Sequence, residues 1–216
     1  MPDARGHGNS SAPRNGYSYE DHAGDVLGLI RLLGLDTPVL LGHSMGGMTA
    51  ALAASRAGAA IRGLVLADPT FLCPQRQREV FDSDVIEQHH RLLSANREEV
   101  LAQARLRHPR RSLEIVQQVI KARLQTRIDA FEVLIPPNPD YRQLVNAVGV
   151  PTLLVIGDTS SVVSLETARE LQSLNPRIQL EQVQDAGHGL PYDQPERFAA
   201  LVRSFLHPLF ASPAKA

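Results

Sequence analysis

The chain has 216 residues, 43% of them hydrophobic, with 22 Lys and Arg against 23 Asp and Glu, and a formal net charge of -1. That length suits one domain, or a core with a modest insertion, and suffices to bury a sizeable core. No nucleic-acid-binding stripe stands out, because the scattered arginines are matched by nearby acids; the one cysteine (Cys73) excludes an intramolecular disulfide, and no apolar run approaches the length of a membrane span. Met1-Pro2-Asp3-Ala4-Arg5 lacks the apolar centre of a secretion signal, so the expected location is cytoplasmic, with neither nucleic acid nor membrane as a partner.

Asp3 to Ser10 is a polar, glycine-rich loop of the kind that follows a strand, and loop continues from Asn15 to Tyr19. Glu20 and Asp21 then open a helix, where acids complement the partial positive charge of the first turn. Val26, Leu27, Leu29, Ile30, Leu32 and Leu33 predict a wide apolar helical face that ends at Gly34. A strand is expected over Pro38 to Leu41, followed by a tight turn and a helix from about Met45 to Arg56. The alanines at 50, 51, 53 and 54 allow that helix to lie close on a sheet, and Gly58 closes it. Ile61 to Ala67 reads as a buried parallel strand that meets a loop at Asp68-Pro69.

Between residues 70 and 139 the texture changes to many Arg, Gln and Glu residues with apolar positions at helical spacing. Three or four helices are expected there, broken near Pro109 and ended by Pro136-Pro137-Asn138-Pro139. The sheet resumes with a strand over Val150 to Ile156, a Gly157-Asp158 loop, a helix near Ser164 to Leu174, and a last strand over Ile178 to Val183. A final helix runs from Pro195 to about Leu206, with a frayed tail from Ala211 to Ala216. Residues 1–69 and 140–216 thus form two parts of an α/β core, and 70–139 is a helical insertion. Strands alternating with helices make a parallel sheet, whose ligands bind at the carboxyl ends of the strands. Ser44, Asp68, Asp158 and His188 all lie just past such ends.

The stretch Leu40-Leu41-Gly42-His43-Ser44-Met45-Gly46-Gly47 reads as strand, sharp turn, helix, the context in which G-x-S-x-G marks a nucleophile. The turn must project the Ser44 hydroxyl above the sheet, and side chains at Gly42 or Gly46 would meet the neighbouring strand and helix. A serine nucleophile needs a base and an acid that orients the base, and the chain offers these in the order Ser, Asp, His. His188, in a glycine-flanked loop after the last strand, is the base. His43 reads as structural and His7 as a residue of the glycine-rich loop; the remaining histidines read as solvated or partly packed, with no metal-ligand spacing around His89-His90.

Three motifs together resemble the α/β-hydrolase superfamily: G-H-S-M-G-G at Gly42 to Gly47, D-x-R-G-H-G-x-S at Asp3 to Ser10, and G-H-G-x-x-x-D-Q-P-E-R-F at Gly187 to Phe198. The resemblance implies a partial α/β-hydrolase sheet of about four strands flanked by helices, with the insertion as a helical cap. A serine at the elbow is unlike the aspartate elbow of haloalkane dehalogenases and epoxide hydrolases. The expected chemistry is hydrolysis of an ester-like small molecule through an acyl-enzyme, with the Met45 backbone N–H as oxyanion donor and no metal or organic cofactor.

Two acids remain open. Many relatives carry the aspartate three residues beyond the glycine of the loop after the penultimate strand, a position held here by Ser160. Asp158, next to Gly157, is the nearest substitute and the first choice; Asp68, after the strand that follows the elbow helix, is the alternative. The resemblance also implies earlier strands and a loop with a second oxyanion donor, for which Met1 to Ser10 leaves no room. A truncated chain is therefore expected, with an unpaired apolar edge on the elbow strand as a route to a homo-oligomer. The alternative to a hydrolase is a non-catalytic remnant that acts as a binding or oligomerising module.

Overall fold

Four short apolar segments pair side by side as a parallel sheet in chain order: β1 (Val39–His43), β2 (Gly63–Ala67), β3 (Thr152–Gly157) and β4 (Ile178–Val183). The computed structural model describes residues 1–211; most of the expected frayed tail lies outside them. Every residue of β2 and β3 is buried, as their unbroken apolar runs require of strands covered on both faces. Side chains alternate between those faces. Val65, Ala67, Leu153 and Val155 pack with Phe205, Val183 and Leu190 in one cluster. Leu64, Leu66, Leu154 and Ile156, at most 1% exposed, alternate with them, and each contributes about 1.5–3 kcal/mol by its burial.

The described residues divide into two compact units, and the division falls after His22 within helix α1 (Tyr19–Leu32). The sheet unit comprises Ala23–Leu72 and the chain from Pro139 onward. In it, α2 (Met45–Ala57) packs on β1 and β2, and residues Gly47 to Ala54 of α2 are all buried. Small alanines bring the helix backbone close to the sheet. Ile30 of α1 is buried, but Leu32 and Leu33, expected on the same apolar face, are 83% and 62% exposed. Among the described residues β1 pairs with β2 alone, and Leu41 is 51% exposed.

The other unit comprises Met1–His22 and Cys73–Asn138. It holds α3 (Pro74–Phe81), α4 (Val85–Ser94), α5 (Arg97–Arg107), α6 (Leu113–Leu124) and a 3-10 segment over Ile128–Leu134. Asn96 and Ser112 cap α5 and α6 through their side chains, so the break near Pro109 is marked on its far side by Ser112. The N-terminal loop groups with these helices rather than with the first part of the core. Gly8 N–H donates to Gln125 O at 3.1 Å, Arg127 N–H donates to Gly6 O at 2.8 Å, and Gly6 sits against the buried Tyr17 ring.

Back in the sheet unit, α7 (Tyr141–Ala147) was not expected. Asp140 caps it, Tyr141 stacks on Phe71 with ring centroids 5.1 Å apart, and the helix packs on α2 and on α8 (Leu165–Leu174). After β4 come the single turn α9 (Leu190–Asp193) and α10 (Pro195–Phe210). Helix α10 extends past the expected end at Leu206 and carries Pro208 in its last turn, where the ring removes one backbone donor. The Arg62 guanidinium donates to Leu209 O at 3.2 Å and lies over the Phe210 ring, which holds that end to the start of β2.

Candidate active site

Every residue of the site belongs to the sheet unit. After His43 the chain turns at Ser44, whose φ of 55° and ψ of -124° are a conformation that non-glycine residues rarely adopt. Such strain costs on the order of 1–3 kcal/mol and persists only where the surroundings enforce it. Ser44 N–H donates to Ala67 O at 3.2 Å, and Ser44 O accepts from the N–H groups of Gly47, Met48 and Thr70. Gly42 makes the turn possible: a Cβ there would stand 2.0 Å from Gly46 O. The expectation for Gly46 itself is corrected, because a Cβ on it would meet nothing within 4 Å outside its own helix backbone. The second crowded glycine is Gly47, whose Cβ would lie 2.7 Å from the Pro69 ring. Met45 is the first residue of α2, so its N–H has no acceptor within the helix and sits at the positive end of the helix dipole.

Asp68 follows β2 directly, with φ of 40°, and its N–H donates to Val155 O at 2.8 Å. The residue is 0% exposed. His188 lies in the loop between β4 and α9, its side chain 37% exposed. His188 Nδ1–H donates to Asp68 Oδ2 at 2.6 Å, and Ser44 Oγ–H donates to His188 Nε2 at 2.9 Å. An ionised Asp68 accepts and cannot donate, which fixes the ring proton on Nδ1 and leaves the Nε2 lone pair facing the serine. Three side chains from three separate chain segments thus form one hydrogen-bonded line.

The expectation that Asp158 orients His188 is corrected by the sheet register. Ala67 lies beside Val155, so Asp68 is level with Ile156, and β3 carries Asp158 two residues further. Two strand residues are roughly 6.6 Å. Asp158 ends exposed, its Oδ1 accepting from Ala186 N–H at 3.1 Å, while both ring nitrogens of His188 are engaged by Asp68 and Ser44. Hydrogen bonds from the backbone N–H groups of Ala186 and Asp185 hold the Asp158 carboxyl below the usual carboxylate range. Its task is to tie the β3 loop to the β4 loop.

His43, read as structural, has a definite partner. Its Nε2–H donates to the backbone carbonyl of His188 at 2.7 Å, its ring lies 5.0 Å from that of His188, and Tyr192 meets it edge-on at 5.8 Å. The residue beside the nucleophile therefore anchors the loop that carries the histidine. Among the described residues no group of three His, Cys, Asp or Glu side chains could hold a metal ion. None of the described helices is long and apolar enough to cross a membrane.

The family model for the alpha/beta hydrolase fold matches residues 1–195. The chain is 31% identical over 219 residues to N-formylmaleamate deformylase of Pseudomonas putida, covering 96% of this chain and 78% of that protein. It is 28% identical over 216 residues to the sn-1-specific diacylglycerol lipase ABHD11 of Mus musculus, covering 94% and 70%. The crystal structure of E-2-(acetamidomethylene)succinate hydrolase shares its fold with a TM-score of 0.78 at 23% identity, over 95% of this chain and 80% of that one. A four-stranded parallel sheet with a strained serine at the end of β1, and a family match that spans most of the sequence, lead to one assignment: the chain belongs to the alpha/beta hydrolase family.

Proposed function

We propose that this protein is a serine-dependent hydrolase of carboxylic esters or similar acyl substrates that works through an acyl-enzyme intermediate, with Ser44 as nucleophile, His188 as base and Asp68 as acid. The observation that carries the reading is the unbroken hydrogen-bonded line from Ser44 Oγ through His188 to Asp68 Oδ2. Ser44 Oγ attacks the substrate carbonyl carbon as its proton passes to His188 Nε2. The N–H of Met45, at the α2 N-terminus, donates to the oxygen that becomes negative. The imidazolium then protonates the leaving group, and a water deprotonated by the same ring releases the acyl group from Ser44. Asp68 holds the ring in its tautomer and offsets the charge it gains. The reading as a non-catalytic module gives no reason for a strained serine, a histidine and a fully buried aspartate to stand in register.

The test is turnover of an activated short-chain aryl ester. Because one relative is named a deformylase and another a diacylglycerol lipase, a formyl amide is offered beside it. Replacing Ser44 by alanine should lower kcat by roughly 10⁴-fold or more, in line with the loss on removing the nucleophile of a serine triad. An active-site-directed fluorophosphonate should label Ser44 in the unaltered protein. Turnover that survives Ser44→Ala, or labelling elsewhere, defeats the proposal.

A further inference from the structure

The proposed chemistry leaves one part-buried contact unused. Ser160, in the loop after β3, places its Oγ 2.5 Å from Asp68 Oδ2, the same oxygen that accepts from His188 at 2.6 Å. A hydroxyl has one proton and two lone pairs, and both kinds of group are accounted for here. Val162 N–H donates to Ser160 Oγ at 3.1 Å, which occupies a lone pair. A carboxylate accepting from His188 has no proton to offer, so the Ser160 proton points at Asp68. The orientation of the hydroxyl is therefore determined from both sides, and Ser160 N–H, which donates to Gly157 O at 3.3 Å, folds the loop back to bring it there.

The consequence falls on the rotation of the Asp68 carboxylate. Two donors converge on Oδ2, whereas Oδ1 is buried and makes no hydrogen bond among the described residues. A carboxylate's last torsion is broad, so the side chain alone does not hold an oxygen in line with the ring. Hydrogen bonds to an ionised acceptor are shorter and roughly twice as strong as neutral ones, so a second donor on the same oxygen narrows that torsion. We propose that Ser160 is a positioning residue of this hydrolase: its hydroxyl holds Asp68 Oδ2 against His188 Nδ1 and thereby sets the tautomer and direction of the ring. This inference rests on the reading of Ser44, His188 and Asp68 given above.

The experiment compares the unaltered protein with Ser160→Ala and Ser160→Thr, by ester hydrolysis and by the ¹H NMR resonance of the His188 Nδ1 proton recorded without substrate. For Ser160→Ala the expected result is a kcat loss of about 10- to 100-fold with KM unchanged, the range a charge-assisted hydrogen bond supports, and a displaced Nδ1–H resonance. For Ser160→Thr, which keeps the hydroxyl, kcat and the resonance should return to near their original values. Should Ser160→Ala fail to fold, Ser160→Cys serves instead, since a thiol is a weak donor of similar shape. An unmoved Nδ1–H resonance in a folded variant overturns the proposal whatever happens to kcat. If Ser44→Ala remains active, the hydrolase reading fails, yet the resonance, which needs no substrate, still decides whether Ser160 governs the Asp68–His188 contact.

Discussion

Replacing Asp68 by asparagine tests the geometry most directly. The variant keeps the shape of the side chain and removes its charge, and either placement of the amide is unfavourable. With the amide nitrogen at Oδ2, it opposes the donors of both His188 and Ser160, and the ring must flip its proton to Nε2, where it can no longer accept from Ser44. With the nitrogen at Oδ1, a donor is buried where no hydrogen bond is made. In both cases the imidazolium formed during acylation loses a negative charge next to it. At about 4 Å and an effective dielectric of 20 that attraction is on the order of 4 kcal/mol. At 1.36 kcal/mol per decade this is about a 10³-fold fall in kcat. Asp158→Asn removes only a loop contact to Ala186 and should cost less than about tenfold. Steady-state hydrolysis of an aryl ester by the two variants, with circular dichroism to confirm folding, gives the comparison. An Asp68→Asn enzyme within tenfold of the original, or an Asp158→Asn enzyme as impaired as predicted for Asp68→Asn, would refute the assignment.

Two further predictions concern stability. Gly42→Ala puts a methyl group 2.0 Å from Gly46 O and should destabilise by at least about 3 kcal/mol, whereas Gly46→Ala, in open space on a helix, should be neutral or gain up to about 1 kcal/mol. Denaturant midpoints of the two variants decide this, and equal damage from both would refute the crowding argument. Arg142 donates to both oxygens of Glu170, at 2.6 and 2.9 Å, joining α7 to α8 and holding the Glu170 carboxyl below its usual range. A carboxyl depressed in the folded state stabilises above its unfolded value, and that contribution disappears as pH falls through the folded one. The Tm gap between the unaltered protein and Glu170→Gln should therefore be widest near neutral pH and close in acid. It should also shrink in high salt, because the pair is over two-fifths exposed. A gap that persists in acid contradicts the linkage.

Ser44, Gly42 and His188 were legible because each is announced by its own neighbours: an apolar run, a glycine, a turn. The acid was not, because its choice depends on how two strands align. Counted from its own strand end, Asp158 looks as well placed as Asp68, and nothing in either segment reveals that β3 runs past the level at which β2 stops. The same lack of a partner strand hid the part played by Ser160, a position noticed only for lacking a carboxylate. Gly46 was misread for a different reason: spacing about the serine suggests symmetric crowding, but the turn is asymmetric, and the crowded glycine after it is Gly47, against Pro69. Helix α7 escaped notice because its seven residues are too few to establish a period, and its stacking on Phe71 joins residues 70 positions apart. The long apolar segments, β2, β3 and α2, had no such dependence, and their positions emerged within two or three residues.

The register that selected Asp68 also divides the site by how each group is attached. Ser44 and Asp68 extend from adjacent strands, with Ser44 N–H donating to Ala67 O on β2 and Asp68 N–H donating to Val155 O on β3. His188 hangs from a loop whose nearest fastening is its carbonyl on His43. The imidazole is thus the one member of the line set away from a strand end. In acyl transfer such a ring receives a proton from one oxygen and delivers it to a leaving group at another. The fold places the proton-carrying group on a loop and the other two on paired strands.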